Sequence, residues 1–154
     1  MFRGGKVSWV NPGLLHITLR FLGETSADGL LKLQGWESAV QSLPGIAAQI
    51  GPLGAFPNLK NPRVLFLQVT PPDPFLALFQ CLERWLAGHG IPPEPRPYHP
   101  HLTISRVRRG PAPPPDLLPA FDPLAARFSS VGLYESLLSP SGSTHLPLAT
   151  ASFR

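Results

Sequence analysis

An α+β fold is predicted by three features of this 154-residue sequence. Segments with the period-two alternation of a half-buried strand alternate with segments whose apolar residues recur at helical spacing. A His-x-Thr-apolar unit, His16-Ile17-Thr18-Leu19, returns 85 positions later as His101-Leu102-Thr103-Ile104, and both copies fall in strand-like sequence. Finally, 21 prolines and 14 glycines punctuate a chain that is 43% hydrophobic and 14% charged, the balance of a globular protein with well-marked loops. The length suits a single domain over 1–154, long enough to bury a core.

The elements follow in order. Ile17, Leu19 and Phe21 alternate with His16, Thr18 and Arg20, so a first strand carries His16 and Thr18 on one face and ends at Gly23. Thr25 or Ser26 caps a helix with the stripe Leu30, Leu33 and Val40, weakened by Gly29 and Gly35 and closed before Pro44-Gly45. Ile46 to Phe56 reads as a glycine-interrupted strand. After the turn from Pro57-Asn58 to Asn61-Pro62, the run Val64 to Val69 completes a hairpin. Phe75, Leu78, Phe79, Leu82, Trp85 and Leu86 lie at helical spacing, with Gly88 and Gly90 as the stop, and their aromatics belong to the core. Pro92 to Pro97 leads into the second motif strand, where strict alternation puts His101, Thr103 and Ser105 on one face opposite Leu102 and Ile104. Beyond the loop from Pro111 to Pro115, Phe128 to Leu138 and His145 to Phe153 form a terminal strand pair around Pro140-Ser141-Gly142.

Charge and cysteine usage narrow the function classes. Thirteen Lys and Arg against nine Asp and Glu give a net charge of +4, which suits a polyanionic partner such as RNA. Ten of the thirteen are Arg, and Arg106, Arg108 and Arg109 directly follow the second unit as candidate phosphate or RNA contacts. A lone cysteine, Cys81, excludes an internal disulfide and a Cys-rich zinc site, and its helical apolar setting gives it a packing role. With no signal sequence and no apolar run near the roughly 20 residues that span a bilayer, a cytoplasmic location and no membrane partner are expected.

The repeated unit carries the chemistry. A strand points His and Thr two residues apart to the same side, so two such strands side by side place two imidazoles around one phosphorus atom. One imidazole activates the attacking oxygen, the other protonates the departing one, and the Thr18 and Thr103 hydroxyls donate to non-bridging oxygens. This cleaves a phosphodiester without a metal, and a strained cyclic phosphate is a suitable substrate. A zinc reading of His99-Pro100-His101 would need further ligands, and only His16 is an obvious third, so neither metal nor cofactor is expected. His99 is read as a strand-entry residue, His89 as a favourable charge at a helix C-terminus, and His145 as a surface residue.

The segment Trp9-Val10-Asn11-Pro12 through His16-Ile17-Thr18-Leu19-Arg20-Phe21-Leu22-Gly23-Glu24, with His99-Pro100-His101-Leu102-Thr103-Ile104 and Arg106, resembles the two-histidine (2H) phosphoesterases. Within them it is similar to the bacterial and archaeal RNA 2',3'-cyclic phosphodiesterases, also called 2'-5' RNA ligases. Gly54-Ala55-Phe56-Pro57 with Pro62-Arg63-Val64, and Leu133-Tyr134-Glu135-Ser136, fit the same branch. The resemblance implies a bilobal α+β fold with an antiparallel sheet in each lobe, helices outside and a central cleft. It implies that His16 is the proton donor to the 3' oxygen and His101 the proton acceptor that activates water, leaving a 2'-phosphate. Thr18 and Thr103 would hold phosphate oxygens, and Arg106 matches an arginine at the phosphate. Alternation puts Arg106 on the wrong face, so a bulge or strand end is required there.

The implied partner is RNA with 2',3'-cyclic phosphate ends, with no obligate protein partner, and reverse 2'-5' RNA ligation is the companion activity that the resemblance implies. An RNA- or nucleotide-binding module without catalysis, and a relative acting on a small cyclic nucleotide, are the competing readings. Members of the family begin with another strand and helix ahead of Trp9-Val10, whereas this sequence opens Met1-Phe2-Arg3-Gly4-Gly5. The expectation is a first lobe without them, either because the sequence belongs to a longer product or because association covers an exposed sheet edge.

Overall fold

The computed structural model describes residues 6–109, 120, 122–139 and 142–154. Among them the chain runs β1 (Lys6–Trp9), α1 (Ala27–Lys32), β2 (Ile46–Phe56), β3 (Val64–Thr70), α2 (Asp73–Gly88), β4 (His101–Arg109), β5 (Leu124–Phe128), β6 (Ser130–Ser139) and β7 (Gly142–Ser152), with short 3-10 turns at Pro12–Leu14 and Trp36–Ala39. The chain divides into two compact units. The first comprises Met1–Thr18, Ala48–Pro72 and His99–Ala126, the second Leu19–Ala47, Asp73–Tyr98 and Arg127–Arg154.

The first unit is built on a sheet of order β1-β4-β3-β2-β5. Its β2–β3, β3–β4 and β1–β4 pairs are antiparallel. One face forms the core: Leu65 is 1% exposed, and Ile50, Val69, Ser105 and Val107 are buried with it. β4 carries the feature that matters most. Phe66 pairs with Thr103 and Leu65 with Ser105, so Ile104 is an extra residue on β4, a β-bulge.

The second unit holds both α-helices and the antiparallel ribbon β6–β7. α2 buries Phe75, Leu78, Leu82 and Leu86 of the expected stripe, together with Leu33, Trp36 and Val40, while Phe79 and Trp85, expected in the core, are only partly buried. Phe75 meets Phe128 edge-on at 5.2 Å and Phe79 stacks on Tyr98 at 4.6 Å. Burial pushes the Tyr98 phenol pKa up. Arg20 is a partly buried ionic hub with a side chain 12% exposed. Its Nε lies 2.8 Å from Glu83 Oε1, its Nη1 donates to Glu94 Oε2 at 2.9 Å and its Nη2 to the Pro92 carbonyl at 2.6 Å. Arg96 completes the group, donating from Nε to Glu94 Oε1 at 2.7 Å.

The α+β class and an antiparallel sheet in each unit agree with the sequence reading. The β2–β3 hairpin, α2 and the terminal pair lie where expected, and β1 and β5 are additional strands. The strand expected over His16 to Phe21 is reduced to one bridge, Ile17 to Leu102. The reason is that β1 occupies the same edge of β4 from Ser105 to Arg109, and Val10 N–H donates to the Ile104 carbonyl, leaving only the start of β4. The first helix is capped by Ser26, whose Oγ accepts from Gly29 N–H, but stops at Lys32. Gly35, at φ 82°, turns the chain into a 3-10 segment there. The loop from Pro111 to Pro115 and the turn residues Pro140 and Ser141 lie outside the described residues. No described helix is long and apolar enough to cross a membrane.

Two stability measurements follow. Leu65→Ala opens a cavity at a position with no room to collapse and lowers the unfolding free energy in denaturant by about 2–5 kcal/mol. The side-chain hydrogen bonds from Arg96 hold the Glu94 carboxyl down at about 2, from an ordinary 4.5. A depressed carboxyl stabilises the fold above its unfolded-state value, and that contribution disappears as pH falls toward 2. An acid titration of Arg96→Ala therefore shows a smaller loss that is complete at higher pH than in the wild type, and coincident curves would contradict the pairing.

Candidate active site

Register in the first unit determines which side chains share a face. Gln68, Phe66 and Val64 alternate on one face of β3 and pair with His101, Thr103 and Arg106 in turn. Cross-strand partners point the same way. The bulge at Ile104 therefore sends Ser105 to the buried face and returns Arg106 to the face of His101 and Thr103. Ser105, expected beside those two, is instead fully buried opposite Leu65. Alternation placed it wrongly because the strand carries one residue too many. The bulge that Arg106 requires is present, and Arg106 is exposed on that face.

The first copy of the motif meets the start of the same strand. Ile17 and Leu102 are antiparallel partners, which sets the segment carrying His16 and Thr18 against β4. His16, Thr18, His101, Thr103 and Arg106 are all part of the first unit. Arg20 is not: its guanidinium is committed to Glu83, Glu94 and Pro92 in the second unit.

Both histidines are anchored in the same manner. His16 Nδ1 lies 2.8 Å from the Leu14 carbonyl oxygen and His101 Nδ1 2.6 Å from that of His99. A carbonyl oxygen only accepts, so each Nδ1 carries hydrogen and Nε2 is the nitrogen that gains or loses a proton. Proline helps to shape both sites. Asn11 Oδ1 accepts from Gly13 N–H around Pro12, shaping the 3-10 turn that precedes His16, and Pro100 holds His99 extended ahead of His101. His101 also meets two rings edge-on, Phe56 at 5.2 Å and Phe66 at 5.3 Å, and those two stack on each other at 4.4 Å.

Neither the carbonyl anchors nor the phenylalanine pair was read from the sequence. The signal for the first was a residue at i−2 of each histidine, and for the second the face shared by Phe56, Phe66 and His101. His99 supplies a carbonyl rather than a ligand. His89 stacks on Trp85 at 3.7 Å and its Nδ1 donates to the Trp85 carbonyl at 2.8 Å, a cap on the last turn of α2. His145 is half-buried and pairs with Ser136 Oγ across β6–β7 at 2.9 Å. Cys81 is partly buried, and its Sγ accepts from Arg84 at 3.1 Å. The side chains of Arg108 and Arg109 lie outside the described residues, and no group of three metal-ligating side chains occurs among those described.

The chain has counterparts among known proteins. Residues 9–138 match the 2'-5' RNA ligase superfamily. The chain belongs to that superfamily, within the 2H phosphoesterases. A Methanothermobacter thermautotrophicus RNA 2',3'-cyclic phosphodiesterase is 32% identical, over 89% of this chain and 77% of its own length. One from Thermus thermophilus is 33% identical, over 99% and 78%. Among solved structures, a Thermus thermophilus protein superposes with a TM-score of 0.77 at 28% identity, covering 98% of this chain and 83% of that one. E. coli LigT complexed with 3'-AMP does so at 0.70 and 25%, covering 97% and 81%.

The anchoring of the two histidines is directly testable. With both rings neutral, 15N shifts of His16 and His101 report hydrogen on Nδ1 and a bare Nε2. An Nε2–H form at either ring would show that its carbonyl bond is not made in solution.

Proposed function

We propose that this protein hydrolyses the 2',3'-cyclic phosphate at RNA ends to a 2'-phosphate by two-histidine acid-base catalysis without a metal. The reading is supported by the two matching motifs, joined by the Ile17–Leu102 bridge, with Nδ1 of each histidine bound to its own backbone. The names of the relatives support the substrate. His101 Nε2 takes a proton from water as its oxygen bonds to phosphorus. The bond from phosphorus to O3' breaks, and His16 Nε2–H gives its proton to that oxygen. The phosphate stays on O2'. Thr18 and Thr103 hydroxyls donate to its non-bridging oxygens, and Arg106 offers a bidentate donor for the charge that grows there. When an RNA 5' hydroxyl replaces water, the same proton transfers join two ends through a 2'-5' linkage.

Incubation with a defined cyclic-phosphate RNA in EDTA is the test. The wild type yields a 2'-phosphate end, and His16→Ala or His101→Ala lowers turnover by about 10²- to 10⁴-fold. Arg106→Ala costs about 10²-fold, whereas Ser105→Ala, on the buried face, retains wild-type turnover. One acid and one base give a bell-shaped pH profile. No turnover by the wild type, or full turnover by both histidine variants, would overturn the reading. Preferential turnover of a small cyclic nucleotide would reassign the substrate.

A further inference from the structure

His101 is tethered through one nitrogen, and a single hydrogen bond leaves the plane of an imidazole free to tilt. The ring is confined from another direction. Phe56 and Phe66 stack on each other with 28° between their planes, and both present themselves to His101 at steep angles, 83° and 63°. This is the edge-to-face geometry that aromatic rings prefer. The register makes it possible: Phe66 stands directly across from Gly54, and Phe56 lies two residues further along the same face of β2.

Gly54 is the keystone of the arrangement. A Cβ on it would fall 2.5 Å from Phe66 Cε2 and 2.6 Å from Cζ, closer than two carbons approach. Any side chain at 54 therefore displaces the Phe66 ring, and with it one wall around His101. Here glycine is required by space, since the Phe66 ring lies across its bare Cα.

We propose that Phe66, seated over Gly54 and backed by Phe56, is a positioning residue that holds the His101 imidazole in the plane in which Nδ1 meets the His99 carbonyl. The assignment rests on His101 being the reacting base of the proposed hydrolysis. Phe66 acts through that imidazole rather than through the substrate. Removing its ring lowers the rate of the chemical step and leaves RNA binding largely intact.

Three variants and two readouts test this. Phe66→Leu keeps apolar bulk without a ring, Gly54→Ala displaces the ring, and Phe66→Tyr keeps it. Kinetics on cyclic-phosphate RNA are expected to show kcat down about 10- to 100-fold in Phe66→Leu and Gly54→Ala, with KM little changed and recovery in Phe66→Tyr. The 15N shifts of neutral His101 move toward a mixture of Nδ1–H and Nε2–H in the first two variants, while those of His16 do not. The double variant Gly54→Ala with Phe66→Leu is no slower than Gly54→Ala alone, because both act on one ring.

Unchanged His101 shifts in Phe66→Leu and Gly54→Ala overturn the positioning role, as do additive losses in the double variant or equal changes at both histidines. If the wild type turns over no RNA, the functional reading fails on its own. The His101 tautomer still decides whether Phe66 positions the ring.

Discussion

One extra residue in β4, Ile104, reconciles two demands on the same short strand. The core takes Ser105 and Val107 inward beside Leu65, and the opposite face carries Arg106 with His101 and Thr103. An uninterrupted strand would meet one demand and violate the other, because its alternation places Arg106 with the core. A charged guanidinium there would have to be neutralised or expelled at high cost. The bulge shifts the phase once, between the motif and the arginine. The two halves of β4 can then alternate correctly for their separate purposes.

The anchors of the two histidines extend the same economy. Each imidazole donates to a carbonyl two residues earlier in its own segment, so the acceptor travels with the ring it orients. Phe56 and Phe66 add a further constraint on His101, which they meet edge-on.

Much of this was legible because period-two alternation is a strong signal wherever a strand is regular. The β2–β3 hairpin, α2 and the two His-x-Thr pairs follow from it and from glycine and proline punctuation. Ser105 was placed on the wrong face because a bulge leaves no mark in composition, although the need to orient Arg106 pointed to one. The segment after His16 reads as a strand by pattern, but β1 takes most of the edge it would use. Pattern records which face a residue prefers and is silent about which neighbour claims an edge first. Arg20 illustrates the same limit: its alternation groups it with His16 and Thr18, while its partners Glu83 and Glu94 lie more than sixty residues downstream.

The carbonyl anchors also bear on how this protein tolerates change. In many hydrolases the tautomer of a catalytic histidine is set by a carboxylate side chain, and replacing that residue disables the enzyme. Here the acceptors are peptide oxygens of Leu14 and His99, which persist whatever side chains occupy those positions. The tautomer is thereby insulated from point substitution at its own acceptor, and drift at 14 and 99 can proceed without disturbing it. Vulnerability moves instead to residues that shape the main chain, Pro12 and Pro100 among them.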